Sequence, residues 1–162
     1  MKIRILCVGK IKESFYRDAV AEYEKRLGRY CQLEIIEVAD EQTPDDASPA
    51  MEEQIRLKEA KRLLAWMDKI REDSVFCTLE IQGTRMDSVQ FSGWLERAAI
   101  EGRGAVCFII GGSLGLHRTV TERARLHISF SDMTFPHQLM RVILCEQIYR
   151  AFRISKGEPY HK

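Results

Sequence analysis

The chain has no apolar run approaching the ~20 residues that a membrane-spanning helix needs, and this excludes a helical membrane protein. Its opening residues, Met1-Lys2-Ile3-Arg4-Ile5-Leu6-Cys7-Val8-Gly9, carry no secretory h-region and no cleavage site; they read as a first strand. No two of the five cysteines (Cys7, Cys31, Cys77, Cys107, Cys145) lie within four residues of each other, so no zinc-type pair exists and no metal is expected. An odd number of scattered thiols in apolar runs fits small core hydrophobes in a reducing, cytoplasmic setting. Charge of one sign is also lacking, with a formal net charge of +1. There are no internal repeats, no GxGxxG and no Gly-Lys-Ser/Thr of a P-loop.

What is present is an ordinary globular composition, 45% hydrophobic and 30% charged over 162 residues, enough for one domain with a real core. The small net charge hides segregation. Met1 to Tyr30 holds eight Lys/Arg against four acids, Glu37 to Glu53 seven acids and no base, and His137 to Lys162 five Lys/Arg against two acids. Basic ends permit an anionic partner such as nucleic acid.

Short β-branched or apolar runs bounded by turn signals predict strands at Ile3–Val8, Leu33–Val38, Val75–Ile81, Ala105–Ile110 and Leu126–Phe130. Helical periods lie between them. Tyr16, Ala19, Val20, Tyr23 and Leu27 share one face behind a Ser14 N-cap; a second helix spans Met51 to Lys69; a third opens at Asp87-Ser88; a short fourth runs from His117 to Arg125; a fifth spans His137 to Ile154. The alternation implies an α/β fold: a mainly parallel sheet of five or six strands flanked by helices. Asp40 to Ala50 reads as a mobile surface loop.

In such sheets ligands bind beyond the carboxyl ends of strands. Three strand exits are equipped for this: Leu79-Glu80-Ile81-Gln82-Gly83-Thr84, Gly111-Gly112-Ser113-Leu114-Gly115, and Ser131-Asp132-Met133-Thr134-Phe135-Pro136. The glycines admit close backbone approach, or simply a tight strand-to-helix turn. The third exit mixes hydrogen-bonding groups with apolar walls, which suits a flat, partly polar ligand such as an adenine nucleoside, or a cap-like turn before a helix. His137 and Arg141 share a helix face one turn apart. His127 reads as core or sheet-face packing, and His117 as a helix start. The chain stops on Pro159-Tyr160-His161-Lys162, where three consecutive functional side chains occupy what is normally a frayed end.

These pieces resemble, over essentially the whole length, the ribosomal RNA large subunit methyltransferase H family, small SPOUT-class enzymes. The resemblance is carried by Ile5-Leu6-Cys7-Val8-Gly9-Lys10, Thr78-Leu79-Glu80-Ile81-Gln82-Gly83, the glycine loop, Met133-Thr134-Phe135-Pro136-His137, the Arg141 helix with Glu146-Gln147-Ile148-Tyr149-Arg150-Ala151, and Pro159-Tyr160-His161. It implies methylation of N3 of a pseudouridine in 23S rRNA, S-adenosyl-L-methionine as donor, a C-terminal trefoil knot and a homodimer; the modest basic footprint of Lys10, Lys12, Arg17, Arg150, Arg153 and Lys162 would bind free RNA weakly, so the assembled ribosome is the expected substrate. It also implies that Leu79, Gly111, Gly112, Ser131, Asp132, Met133, Thr134, Phe135 and Pro136 wrap the donor. His137 and Arg141 would shape or charge the pocket, and Tyr160 and His161 of one subunit would meet the nucleobase held by the other. His161 is the first candidate for proton acceptor; the alternative has Tyr160 stacking on a base and His161 binding phosphate. Two positions depart from the family pattern: Gln138, where a proline is common, and Ser113-Leu114, where an acidic or aromatic residue is often seen. Gln138 is expected to loosen the loop-to-helix junction. Competing readings are a non-catalytic ribosome-binding protein, a SPOUT enzyme for another RNA position, and a nicotinamide oxidoreductase; against the last stand the wrong spacing and late position of the glycines.

Overall fold

A computed structural model describes residues 1–70, 74–101 and 104–162. The order is β1 (Lys2–Val8), α1 (Ser14–Leu27), β2 (Gln32–Val38), α2 (Pro49–Ile70), β3 (Val75–Arg85), α3 (Ser88–Glu101), β4 (Ala105–Ile110), α4 (Arg118–Thr121), β5 (Leu126–Ser129) and α5 (His137–Ser155). The five strands form one sheet, β2-β1-β4-β3-β5, and every pair is parallel. The β-α alternation is as the sequence predicts. The strand order is additional: the chain steps outward from β1 to β2, then crosses to the other side, so the sheet's switch point lies between β1 and β4.

Both faces are covered, which is why the central strands read as continuous apolar runs. On one face α1, α3 and α5 bury Leu27, Phe91, Leu95, Leu144 and Ile148 against Ile3, Ile5, Val106 and Phe108. On the other, α2 and α4 bury Leu63, Met67 and Val120 against Leu6, Ile36, Phe76 and Ile109. All five cysteines are free and buried. Burial holds the thiols of Cys7, Cys107 and Cys145 up at about 12, which makes them inert core atoms. Among the described residues no helix is long and apolar enough to cross a membrane.

Three departures from the sequence reading bear on function. First, β3 runs on to Arg85, with a shift in register: Leu79 and Thr84 both lie opposite Ile128. Gly83 makes that possible, since a Cβ there would sit 2.6 Å from the Ile128 carbonyl carbon. Second, Asp40 to Ala50 is tied down in its first half. The Glu41 amide donates to Glu59 Oε1 at 3.0 Å, Arg62 donates to the Ala39 carbonyl at 2.9 Å, and the Thr43 hydroxyl lies 3.3 Å from that of Ser113. Third, Ser14 does not cap α1. The cap position is Glu13, and no side chain of its own accepts from the helix. Gln138 of α5 instead ties down the residues just before the helix: its Oε1 accepts the Lys12 amide at 2.7 Å and the Glu13 amide at 3.5 Å. The residue expected to loosen the start of α5 instead fastens it to the start of α1. α3, by contrast, is capped as its sequence suggests. Asp87 Oδ1 accepts from the Gln90 amide at 2.7 Å and Gln90 Oε1 from the Asp87 amide at 3.0 Å, a reciprocal box.

Arg141 is the largest side chain with no solvent exposure. It donates to the carbonyls of Val8 and Gly9 at 3.0 and 2.6 Å and to Glu37 Oε1 at 2.7 Å, joining α5 to the ends of β1 and β2. Replacing it by alanine strands a carboxylate and two carbonyls and should cost about 3 kcal/mol, low in the range for broken buried pairs because Glu37 keeps one side in water; chemical denaturation measures this. Gln138→Leu should cost about 1 kcal/mol, and Gln138→Glu, which still accepts, should cost little. His137 gives a pH test. Burial first, then the Arg141 charge, lower its pKa, so the unfolded chain takes the proton first. Stability is therefore full above the ordinary value of about 6.5 and falls as pH drops below it. His137→Asn should flatten that acid limb of the thermal-unfolding profile relative to the wild type.

Candidate functional site

Because the strands are parallel, the exits of β3, β4 and β5 fall at one edge, and these three strands are neighbours in the sheet. The three segments singled out from sequence are thereby brought together.

The glycine loop folds back on itself. The Gly115 amide donates to the Gly112 carbonyl at 3.1 Å, and Gly115 takes φ 78°. A Cβ on Gly111 would lie 2.8 Å from the Gly115 carbonyl carbon, and one on Gly112 would lie 2.9 Å from Glu59 Oε2. The loop's own backbone and a neighbouring carboxylate thus exclude side chains here, whatever binds above. Glu59 was not anticipated. It is 4% exposed, with its carboxyl raised by burial and held against the glycine loop. The sequence did carry a signal: Glu59 interrupts the apolar face of α2 set by Ile55, Leu63 and Met67.

The β5 exit is a structured turn. Ser129 Oγ donates to the Ser131 carbonyl at 3.1 Å, and the Met133 amide donates to Ser131 Oγ at 3.0 Å. Asp132 pairs with Arg85 at the end of β3, so the first and third exits are in contact. Met133 is 73% exposed, while Phe135 is half-buried. Leu79 packs at the margin of the core, facing the α1-α3-α5 side. Next to it lies a polar cluster that sequence reasoning passed over. His127 Nδ1 is 2.7 Å from Glu80 Oε1 and 2.8 Å from Thr78 Oγ1, so His127 joins β5 to β3 as well as packing on the sheet.

His137 stands at the mouth of α5, where a Cβ on Gly9 would lie 3.3 Å from its Nε2. With its pKa lowered, it is a neutral ring at physiological pH. Arg141 is turned inward, its guanidinium committed to β1 and Glu37. The pair shapes the floor beneath the three exits and brings no free charge to it.

The C-terminal residues are pinned to their own chain. Glu158 accepts from Tyr30 at 2.5 Å and pairs with Arg153 at 2.9 Å, and Arg153 also donates to the Pro159 carbonyl at 3.0 Å. Tyr160 donates to Glu146 Oε1 at 3.2 Å, lies edge-on to Tyr149 with centroids 5.0 Å apart, and has the Arg150 guanidinium 4.7 Å from its ring centre. Burial and Glu146 push the Tyr160 hydroxyl up to about 12. His161 is exposed at the rim of a cavity of about 340 Å³ whose walls include Met86, Phe91 and Phe130. Phe130 immediately precedes the β5 exit loop. A wider groove of about 730 Å³ lies at the opposite, amino-terminal edge of the sheet, by Lys2, Gly28 and Gly104. Among the described residues no group of three His, Cys, Asp or Glu could hold a metal ion.

The family described as "Predicted SPOUT methyltransferase" matches residues 1–161. Two relatives named "Ribosomal RNA large subunit methyltransferase H" align with the whole of this chain over their whole lengths: one from Clostridium beijerinckii at 51% identity and one from Bifidobacterium adolescentis at 52%. Among solved structures, a probable methyltransferase from Bordetella pertussis superposes with TM-score 0.57 at 14% identity, covering 93% of this chain and 95% of its own. A probable methylase family protein from Haemophilus influenzae gives 0.56 at 12%, covering 99% and 70%. Those two likenesses establish the fold alone, and the family rests on the full-length matches. The chain belongs to the SPOUT methyltransferase family.

Proposed function

We propose that this chain transfers a methyl group from S-adenosyl-L-methionine to N3 of a pseudouridine in 23S rRNA, acting in the cytoplasm as a single-domain homodimer with a C-terminal trefoil knot, on the assembled ribosome. Support for rRNA comes from the names of relatives that share half their residues with this chain end to end. The observation that carries the site is the adjacency of the β3, β4 and β5 exits at one edge of a parallel sheet.

The residues at that edge fit the donor. Leu79 and Phe135 offer apolar contact for an adenine, and the Ser131–Pro136 loop offers backbone and hydroxyl hydrogen bonds. Gly111 and Gly112 leave the β4 exit without side chains. When bound, S-adenosyl-L-methionine supplies an electrophilic methyl group on a positively charged sulfur.

The remaining work falls to the chain. The N3–H of pseudouridine is an imide flanked by two carbonyls and becomes a good nucleophile once its proton leaves. Attack by the resulting anion on a sulfonium neutralises charge, so exclusion of water favours the transition state. His161 is the proposed acceptor of the N3 proton, because an imidazole is suited to exchange protons near neutral pH. Tyr160, held protonated, serves as a hydrogen-bond donor or stacking ring. Arg141 and His137 act as positioning residues beneath the donor loop, which refines the expectation that they charge the pocket. Lys10, Lys12, Arg17, Arg150, Arg153 and Lys162 supply cations for phosphates. Arg150 and Arg153 already carry ion pairs with Glu146 and Glu158.

Nuclease mapping with mass spectrometry of 23S rRNA from a strain lacking this gene should show loss of one methyl group on one pseudouridine; an unchanged map contradicts the function. Removing residues 159–162 should slow turnover about 100-fold or more while leaving calorimetric donor affinity within about two-fold. Parallel loss of both would show instead that the tail holds the donor. Single-turnover rates of His161→Ala against pH should be depressed, with the wild-type titration lost. An unchanged rate constant with weaker substrate binding would make His161 a phosphate contact.

A further inference from the structure

The β1–α1 connection is held more firmly than a surface loop requires. Arg17 donates to the carbonyls of Ile11 and Lys12 at 3.2 and 2.6 Å. Glu37 Oε1 accepts the Ile11 amide at 3.3 Å, and Gln138 accepts the Lys12 and Glu13 amides. On this fixed scaffold Lys10 and Lys12 are exposed, and the Phe15 ring is 62% exposed, braced by Tyr16 with centroids 4.4 Å apart. Between Lys10 and Arg17 there are three cations and one acid.

A large aromatic ring left in water beside exposed lysines matches a single-stranded nucleic acid, whose phosphates meet the cations while an unstacked base lies on the ring. Holding the loop in place beforehand reduces the ordering cost of that contact. The location matters as much as the chemistry. Gln138, which caps this loop, follows His137 and the Ser131–Pro136 segment directly, so the surface is fastened to the edge where the donor is placed. We infer that Lys10, Lys12 and Phe15 form a docking face for a single-stranded segment of the RNA substrate, fixed in register with the donor loop through Gln138. The inference rests on the reading of the chain as an RNA methyltransferase and adds the surface by which the RNA is held.

The test uses the full chain, labelled S-adenosyl-L-methionine, and assembled ribosomes from a strain lacking the gene, over a series of salt concentrations. Phe15→Ala should raise KM for the particles about five-fold or more, the lower end of what base stacking on an aromatic ring contributes. The double variant Lys10→Ala/Lys12→Ala should reduce the slope of log KM against log salt by about one to one and a half, as expected for two lost phosphate contacts on single-stranded RNA. Gln138→Leu should raise KM, and Gln138→Glu should restore it. Calorimetric donor affinity should stay within about two-fold throughout, and sedimentation should match the wild type. Wild-type KM and salt slope in the Phe15 and lysine variants would overturn the docking face. So would a shift in sedimentation, which would assign Phe15 to a contact between copies of the chain, or a parallel fall in donor affinity. A wild-type chain that transfers no methyl group overturns the underlying reading and this inference with it, whereas an active wild type with unaffected variants overturns the inference alone.

Discussion

A guanidinium removed from water must find acceptors or forgo its charge, and its charge is effectively permanent. Arg141 meets that demand at its two terminal nitrogens, its Nε alone staying without a partner, by drawing together the end of β1, the Glu37 carboxylate of β2, and the first turns of α5. One face of Glu37 then reaches the Ile11 amide, and Gln138, one turn before Arg141, holds the Lys12 amide at the entry to α1. His137 fits against Gly9, where a side chain could not stand without displacing it. The loop from the β5 exit enters α5 at this point, so its position is set by a half-buried ion pair and the Gln138 contact with the residues before α1. Local propensity has little part in it.

The same reasoning supports the proposed site at the carboxyl edge of the sheet. Parallel strands gather their exits on one side, and here β4, β3 and β5 are consecutive across the sheet. The glycine loop closes on itself and against Glu59, while Asp132 and Arg85 join the β5 and β3 exits. The polar contacts at this edge are mostly within the chain. What remains accessible is backbone, a few hydroxyls, and the apolar sides of Leu79, Met133 and Phe135. That surface suits the nucleoside part of the proposed donor.

Much of this was legible in the residues, and the gaps have physical causes. Continuous apolar runs such as Ala105–Ile110 identify strands covered on both faces, and the alternation with helices makes a parallel sheet the natural arrangement. The order of strands is a tertiary fact with no local signature. The end of β3 was misjudged because a register shift at Leu79 and Thr84 hides behind polar residues that resemble a turn. Ser14 reads as the cap of α1 because serine is a good cap; the cap position is Glu13, whose side chain makes no cap bond, and the Lys12 amide just before it is held by Gln138, 126 positions along, which no local rule can find. Glu59 was the avoidable omission: an acid on the buried stripe of an amphipathic helix calls for a reason, and the glycine loop supplies it. The chain's last residues, with Tyr160, His161 and Lys162 in a row, read as more than a frayed end. What sequence could not show is that Glu158 and Tyr160 are held by Arg153, Tyr30 and Glu146 of the same chain.

The central claim is that the methyl donor lies at the carboxyl edge of the sheet, above the start of α5. Amide hydrogen exchange with and without S-adenosyl-L-methionine tests it most directly. Protection should appear in residues 79–84, 111–115 and 130–138, with the amino-terminal edge around Lys2, Gly28 and Gly104 unchanged. Protection confined to that opposite edge, where the wider groove lies, or no donor-dependent protection at all, would contradict the account.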